Sequence, residues 1–169
     1  MGETDLPSAA AWIVVGSPDN FGRSANLGFI VQGFKSRHRK KVERMAPGDK
    51  LIFYLTGRKA FAAISTIESA FFESHERVWE SGVPKKAAED YPFRVRTAPD
   101  LVLAESDYVP AEALARQMIY AQRWPAEHWT LAFQGNLHAI GDEDYRLIRA
   151  ALEQRSSIGA GSSDERRPV

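Results

Sequence analysis

The sequence predicts an α+β fold, in which a small mixed or antiparallel, barrel-like sheet has helices at its ends. Predicted strands outnumber predicted helices, and two neighbouring segments, 50–56 and 60–67, are apolar on both strand faces. Strands of that kind are covered on both sides, as they are in a barrel. With 169 residues, 44% hydrophobic and 26% charged, the chain has the size and composition of one globular domain.

The first half of the chain contains the clearest predicted strands. The apolar, β-branched run 12–15 predicts a buried strand that ends in a turn. Segment 37–45 is compatible with a short helix, which the Pro-Gly-Asp run at 47–49 ends. Gly57 permits a tight turn between the two doubly apolar strands, so residues 49–67 are predicted to form an antiparallel hairpin.

The second half mixes strands and helices. Further strands are predicted at 93–97, 101–103 and 130–133, and a short helix is predicted after Pro110 because proline fits the first helical position. The clearest helix is the last one, since three acidic residues at 142–144 lie in its first turn, where the helix dipole favours negative charge. Its predicted buried stripe consists of Tyr145, Ile148 and Leu152.

The predicted domain comprises residues 9–154, between flexible tails at 1–8 and 155–169. Both tails are polar and contain too few apolar residues to pack. The chain has no cysteine, and its first residues are acidic where a secretion signal would be basic. Because no uninterrupted apolar span follows, we expect a cytoplasmic protein with no membrane contact.

Charge is unevenly distributed along the chain although the net charge is zero. Residues 1–60 contain 10 Lys and Arg against 5 Asp and Glu, and the remainder contains 12 against 17. The basic run 34–41 predicts a local patch that contacts a few phosphates but does not coat a long duplex. Its candidate phosphate-binding residues are Arg37, Arg39 and Lys40. A solvated helix face is the alternative interpretation of this run.

No motif for catalysis is present. The sequence contains no nucleophile elbow, no phosphate-binding glycine loop and no dinucleotide-binding fingerprint. The four histidines, at 38, 75, 128 and 138, lack the spacing that places two metal ligands on one helical turn. We therefore expect no metal, no cofactor and no enzymatic activity.

Aromatic residues recur beside hydrogen-bonding residues. A flat heterocycle requires this combination, because rings stack on its faces while polar groups contact its edge. The candidate ligand-binding residues are Ser17, Asn20, Phe34, Lys35, Ser36, Arg37, Tyr54, Trp79, Trp129, Phe133 and Gln134. In a small barrel most aromatic residues belong to the core, and that alternative stays open for each of them.

Four segments resemble an EVE domain: WIVVGSPDNF at 12–21, GFKSRHRK at 33–40, MAPGDKLIFYLT at 45–56 and WPAEHWTLAFQGNLH at 124–138. The resemblance extends over about residues 10–153 and is strongest to small stand-alone prokaryotic members. It implies a PUA-like pseudobarrel of five or six mostly antiparallel strands with peripheral helices, in the superfamily that also contains YTH and ASCH domains.

The resemblance also implies a function. YTH domains hold a methylated adenine in an aromatic cage, and EVE domains are linked to modified cytosines in DNA. Phe34 falls where YTH domains place a cage tryptophan, and Trp79 has a position similar to the second cage aromatic. The implied protein is a non-catalytic module that binds a modified nucleobase of DNA or RNA, with that choice and the oligomeric state left open.

On this hypothesis Phe34 and Trp79 sandwich the base, Tyr54 closes one side, and Ser17, Asn20 and the backbone near Ser36 contact its edge. Trp79 is then expected to face an open cavity, so that its truncation costs little stability. The alternative function is a module that uses the same pocket for a free metabolite or for a side chain of a partner protein.

Overall fold

A computed structural model describes residues 9–165, with side chains described as far as residue 157. The strands are β1 (Ala11–Gly16), β2 (Val31–Phe34), β3 (Lys50–Leu55), β4 (Ala60–Ile67), β5 (Phe72–Glu73), β6 (Phe93–Val102), β7 (Val109–Pro110) and β8 (Leu137–Ile140). The α-helices are α1 (Pro18–Asn26), α2 (Arg39–Val42), α3 (Glu112–Gln117) and α4 (Asp142–Glu165). Short 3-10 helices occupy Ser36–His38, Pro84–Lys86, Glu105–Asp107, Tyr120–Arg123 and Ala126–Phe133.

Six strands form the main sheet in the order β2-β6-β4-β3-β1-β8, and the short strands β5 and β7 pair with β6 and β4. Only β1 and β3 pair in parallel among these described strands. The sheet curls into a half-barrel that leaves β2 and β8 at its edges. The predicted α+β pseudobarrel of five or six mostly antiparallel strands with peripheral helices is therefore confirmed.

The predicted hairpin is confirmed at β3 and β4. Gly57 has a positive φ of 78° in the connecting turn, where glycine carries no steric penalty. Along β3 alternate side chains enter different cores: Ile52 packs with Phe61 and Ile148 on one face, and Leu51 packs with Trp12 on the other. A core on each face explains why the strand is apolar on both sides.

The last helix covers one of these cores. Ile148 and Leu152 are fully buried and Tyr145 is half-buried, in agreement with the predicted stripe. Asp144 is buried as well, and its carboxylate accepts hydrogen bonds from the backbone N–H groups of Ile119 and Tyr120, at 2.8 and 2.9 Å. These bonds offset the cost of burying its charge.

Three local predictions differ from the structure. Residues 130–133 belong to a 3-10 helix instead of a strand, because a short apolar run does not distinguish the two by periodicity. The strands predicted at 93–97 and 101–103 form the single strand β6. Helix α4 continues past residue 154, into the predicted C-terminal tail, and the predicted tail 1–8 lies outside the described residues. The domain boundaries stay predictions.

Candidate functional site

A cavity of about 390 Å³ opens between the carboxyl ends of β1 and β2, which are not paired with each other. Four further segments complete its wall: the start of α1, the residue after β3, the loop before β6 and the segment 133–136. The residues that line it include Gln32, Phe34, Lys35, Trp79, Tyr91 and Phe133. Its volume lies within the range of about 300 to 1,000 Å³ that is typical of small-molecule sites.

The aromatic part of the wall is supported from behind. Phe133 stacks on Tyr54 with ring centroids 4.5 Å apart and an interplanar angle of 14°. Tyr54 is buried in the core and does not line the cavity. Its predicted role of closing one side of the ligand is therefore corrected to that of a support for Phe133.

Trp79 lines the cavity but is 1% exposed, so it belongs to the core. Its indole N–H donates to Ser24 Oγ at 2.9 Å, and the Ser24 hydroxyl donates to Gln32 Oε1 at 2.7 Å. The guanidinium of Arg94 lies 5.1 Å from the ring centroid. The expectation that Trp79 faces an open cavity is thus wrong. Its indole N–H already has Ser24 as a partner, and the Arg94 guanidinium already lies over its ring.

The geometry of β2 also corrects the predicted sandwich. A Cβ atom on Gly33 would lie 2.5 Å from Cζ3 of Trp79, so this face of the strand is turned toward the indole. Successive residues of a strand point to opposite faces, which turns the Phe34 side chain away from Trp79. Phe34 packs instead in the core that contains Trp12, so the rings of Phe34 and Trp79 do not face each other.

This close approach predicts the effect of Gly33→Ala. The added methyl group would overlap the Trp79 ring and the backbone oxygen of Tyr91, which lies 2.8 Å from the Cβ position, and overpacking of this kind costs about 1 to 3 kcal/mol. Gly16→Ala is the matched control, because Gly16 lines the same cavity and its Cβ position has no atom within 4 Å. Urea denaturation should show destabilisation in the first variant alone. Equal stability of the two variants would contradict the packing described.

Asn20 connects helix α1 to the loop before β6. Its Nδ2 donates to the backbone oxygen of Glu80 at 2.8 Å and to the Tyr91 hydroxyl at 3.3 Å, and its Oδ1 accepts from the Glu80 N–H at 3.0 Å. Asn20 therefore holds the cavity wall together, where the sequence predicted that it contacts the ligand. Ser17 caps α1, accepting the backbone N–H of Asn20 at 3.1 Å. The Ser17 hydroxyl thus stabilises the start of the helix that carries Asn20.

Two of the predicted basic residues stand at the cavity. Arg37 donates to Asn136 Oδ1 at 2.8 Å, and Lys35 Nζ lies 6.0 Å from the centroid of the Tyr91 ring. Burial lowers the pKa of Lys35, and the nearby cations Arg37 and Lys86 lower it further. The carboxylate of Glu89 acts on the pKa of Lys35 in the opposite direction, so charges of both signs lie near this lysine.

The other two predicted phosphate-binding residues lie outside the cavity. Arg39 pairs with Glu43 at 2.9 Å and places its guanidinium 5.4 Å from the Phe93 ring centroid. Lys40 is exposed and contributes nothing to the cavity wall. Of the three predicted phosphate-binding residues, Arg37 therefore lines the cavity, whereas Arg39 and Lys40 do not.

The predicted ligand residues divide between the cavity and its surroundings. Eight of the eleven line the cavity: Ser17, Asn20, Phe34, Lys35, Arg37, Trp79, Phe133 and Gln134. Three do not. Tyr54 supports Phe133, Ser36 hydrogen-bonds to Glu89, and Trp129 packs on the Phe133 edge with ring centroids 6.0 Å apart.

The wall residues that the sequence analysis did not name as ligand-binding include Gln32, Glu80, Tyr91 and Asn136. Tyr91 lies in the left-handed region with φ of 52° although it precedes Pro92, which disfavours a compact backbone at that position. The sequence carries no signal for this conformation. Gly135, which has a φ of 80°, directly precedes Asn136, and a glycine at this point of the sequence is a local sign of a tight turn.

Among the side chains described, those of residues 9–157, no group of three or more histidine, aspartate or glutamate residues is arranged to hold a metal ion. In the same part of the chain, no helix has the length and apolar content that crossing a membrane requires.

Sequence comparison identifies relatives of the chain. The family model of the EVE domain matches residues 10–151. A UPF0310 protein of Pyrococcus abyssi is 27% identical over 130 residues, covering 72% of this chain and 86% of that protein. A UPF0310 protein of Pyrococcus horikoshii is 24% identical over 132 residues, with the same coverage of 72% and 86%.

Solved structures share the fold at low identity. The YTH domain of the Zygosaccharomyces rouxii MRB1 protein, in complex with N6-methyladenosine RNA, matches with a TM-score of 0.59 and 12% identity, over 87% of this chain and 88% of that chain. An NMR structure of a Rhodopseudomonas palustris protein matches with a TM-score of 0.56 and 14% identity, over 86% and 94%. Since the EVE model spans most of the sequence, the chain belongs to the EVE domain family.

Proposed function

We propose that this protein is a non-catalytic module that holds a modified nucleobase of a nucleic acid strand in the cavity between β1 and β2. One observation carries the proposal: a cavity of about 390 Å³ combines four aromatic residues in its wall with the cations Lys35 and Arg37 at its edge. Rings accommodate a flat heterocycle, and cations contact the phosphates that a base brings with it.

The roles of the residues follow from their surroundings. The described contacts hold three aromatic wall residues in place: Phe133 through Tyr54, Tyr91 through Asn20 and Trp79 through Ser24. A rigid wall loses little conformational entropy when a ligand binds. Stacking on such rings contributes about 1 to 3 kcal/mol per base. Gln134, exposed at the cavity, supplies an amide for the edge of the base.

The comparison supports a nucleic acid as the partner. The Zygosaccharomyces rouxii YTH domain has the same fold and is bound to RNA that contains N6-methyladenosine. Burying a methyl group contributes only about 0.8 kcal/mol, and a hydrophobic pocket separates ligands that differ by one methylene by roughly 200-fold at most, so we expect modest selectivity for a modified base over its unmodified form.

A binding panel tests this proposal. Isothermal titration calorimetry would compare N6-methyladenosine, 5-methyl-2′-deoxycytidine and their unmodified forms, each as a nucleoside and within matched DNA and RNA oligonucleotides. We expect one modified base to bind more tightly within an oligonucleotide than as a nucleoside, because the strand adds phosphate contacts. Tight nucleoside binding with no gain from the oligonucleotide would indicate a metabolite site. No binding to any member would contradict the proposal.

A second prediction compares Arg37 with Arg39. Arg37→Ala should reduce the slope of log affinity against log salt concentration by roughly one, because Arg37 lines the cavity and one phosphate contact is lost. Arg39→Ala removes the same charge from a side chain that is paired with Glu43 away from the cavity. Equal changes in slope for both variants would mean that the whole basic run contacts the strand, as the sequence predicted.

A further inference from the structure

The carboxylate of Glu89 lies beside the cavity and accepts hydrogen bonds from two separate chain segments. Ser36, directly after Lys35 at the end of β2, donates its backbone N–H at 3.2 Å and its hydroxyl at 2.9 Å. Tyr91, in the cavity wall, donates its backbone N–H at 3.1 Å. Two backbone N–H groups and one hydroxyl therefore converge on a single anionic group.

Three cations surround this position. Lys35 and Arg37 flank Ser36 in the sequence, and both line the cavity. Lys86 is one turn before Glu89, whose N–H donates to the Lys86 carbonyl at 2.9 Å. The lowered pKa of Lys35, to which both Arg37 and Lys86 contribute, agrees with this proximity. Lys35, Arg37 and Lys86 thus supply three positive charges in the neighbourhood of Ser36 and Glu89.

Backbone N–H groups, a hydroxyl and flanking lysine and arginine side chains are the donors that proteins use for phosphate oxygens. We propose that these groups form a phosphate subsite of the nucleobase cavity and that the Glu89 carboxylate is a built-in competitor for it. This inference rests on the proposed function in one respect, namely that the phosphate belongs to a nucleotide of the bound strand. The donor set itself is independent of which base is bound.

Competition at this subsite is coupled to the cavity wall. Glu89 accepts the backbone N–H of Tyr91, and Arg94 Nε donates to the Tyr91 carbonyl at 3.1 Å. Hydrogen bonds therefore fix both backbone polar groups of Tyr91, whose φ is positive. A phosphate that displaces Glu89 takes over the bond to the Tyr91 N–H and contacts the wall directly. The carboxylate thereby lowers the affinity for phosphate and keeps the wall in place while the subsite holds no phosphate.

Glu89→Gln tests the competition, with Glu43→Gln as the matched control. The amide keeps an oxygen that accepts from Ser36 but removes the charge. Glu43→Gln removes one negative charge from the same basic region, at a residue that pairs with Arg39 away from the cavity. The probes are inorganic phosphate, the best nucleoside of the panel and its 5′-monophosphate, measured by calorimetry and by NMR of the Ser36 and Tyr91 amide signals.

We expect Glu89→Gln to raise the affinity for inorganic phosphate and for the monophosphate by about tenfold, comparable to one hydrogen bond to a charged group, and therefore to raise the ratio of monophosphate affinity to nucleoside affinity. Glu43→Gln should change neither by more than about twofold. Equal gains in both variants would show a general charge effect and overturn the proposal. An equal loss of nucleoside and monophosphate binding in Glu89→Gln would show that Glu89 serves only to hold the wall.

A second pair of variants does not disturb the Ser36 and Tyr91 contacts. Lys86→Gln should weaken monophosphate binding several-fold in the otherwise unchanged protein, whereas Arg146→Gln, at an exposed position of α4, should not. Equal binding in both would overturn the subsite. If phosphate shifts the two amide signals while no nucleoside binds, the subsite stands and the proposed nucleobase function fails.

Discussion

Trp79→Ala should lower the free energy of unfolding by about 3 to 5 kcal/mol, the usual cost of truncating a buried tryptophan or phenylalanine. The indole is 1% exposed and Gly33 packs directly on its ring. Removing the ring leaves a void, and the Ser24 hydroxyl loses the indole N–H that it accepts at 2.9 Å. A cost of this size is a large fraction of the stability of a typical domain.

Urea denaturation of the purified variants measures this effect. Trp79→Phe should recover part of the loss, because it restores most of the ring but leaves Ser24 without its donor. Trp124→Ala is the comparison, since Trp124 is only half-buried and packs at the edge of a core. A Trp79→Ala variant as stable as Trp124→Ala would restore the interpretation of Trp79 as an exposed cage residue.

Stability should also fall as the pH drops from about 6.5 toward 4, and His38 is the residue that we expect to cause it. His38 is buried, and its Nε2 has no hydrogen-bond partner in the described structure. Burial lowers the pKa of His38 to about 4, and the positive charges of Arg37, Lys41 and Lys35 contribute in the same direction. The neutral imidazole is therefore the form that the folded protein accommodates.

The sign of the effect follows from proton binding. Above pH 6.5 the histidine is neutral in both states, so it does not alter the free energy of unfolding. Between pH 6.5 and about 4 the unfolded chain binds a proton that the folded protein does not, which favours unfolding by as much as about 3 kcal/mol at the acid end. The pKa of His138 is also lowered by burial and acts in the same direction.

Denaturation curves at several pH values check this expectation. His38→Gln should flatten the dependence on pH below 6.5, because glutamine does not titrate. His128→Gln, a substitution at an exposed position, serves as the control and should keep the dependence of the wild type. If His38→Gln and wild type lose stability in parallel as the pH falls, His38 is not the group that titrates.

Local patterns were sufficient for much of the fold. The hairpin within residues 49–67 follows from two local properties, strands that are apolar on both faces and a glycine, Gly57, that tolerates the turn, and the structure confirms it at β3 and β4. The start of α4 was predicted in the same way, from the acidic residues of its first turn. A short apolar run such as 130–133 lacks such a pattern, so packing decided its conformation.

Tertiary contacts decided which of the candidate residues form the cavity. The basic run contains Arg37 and Arg39 two residues apart, yet Arg37 lines the cavity whereas Arg39 pairs with Glu43 outside it. Trp79 is a core residue because Ser24, 55 positions earlier, accepts its indole N–H. Tyr91 reaches the wall through Asn20, 71 positions earlier. The sequence by itself determined the family, the sheet and the basic region, whereas burial and wall position depend on contacts between distant residues that no local pattern encodes.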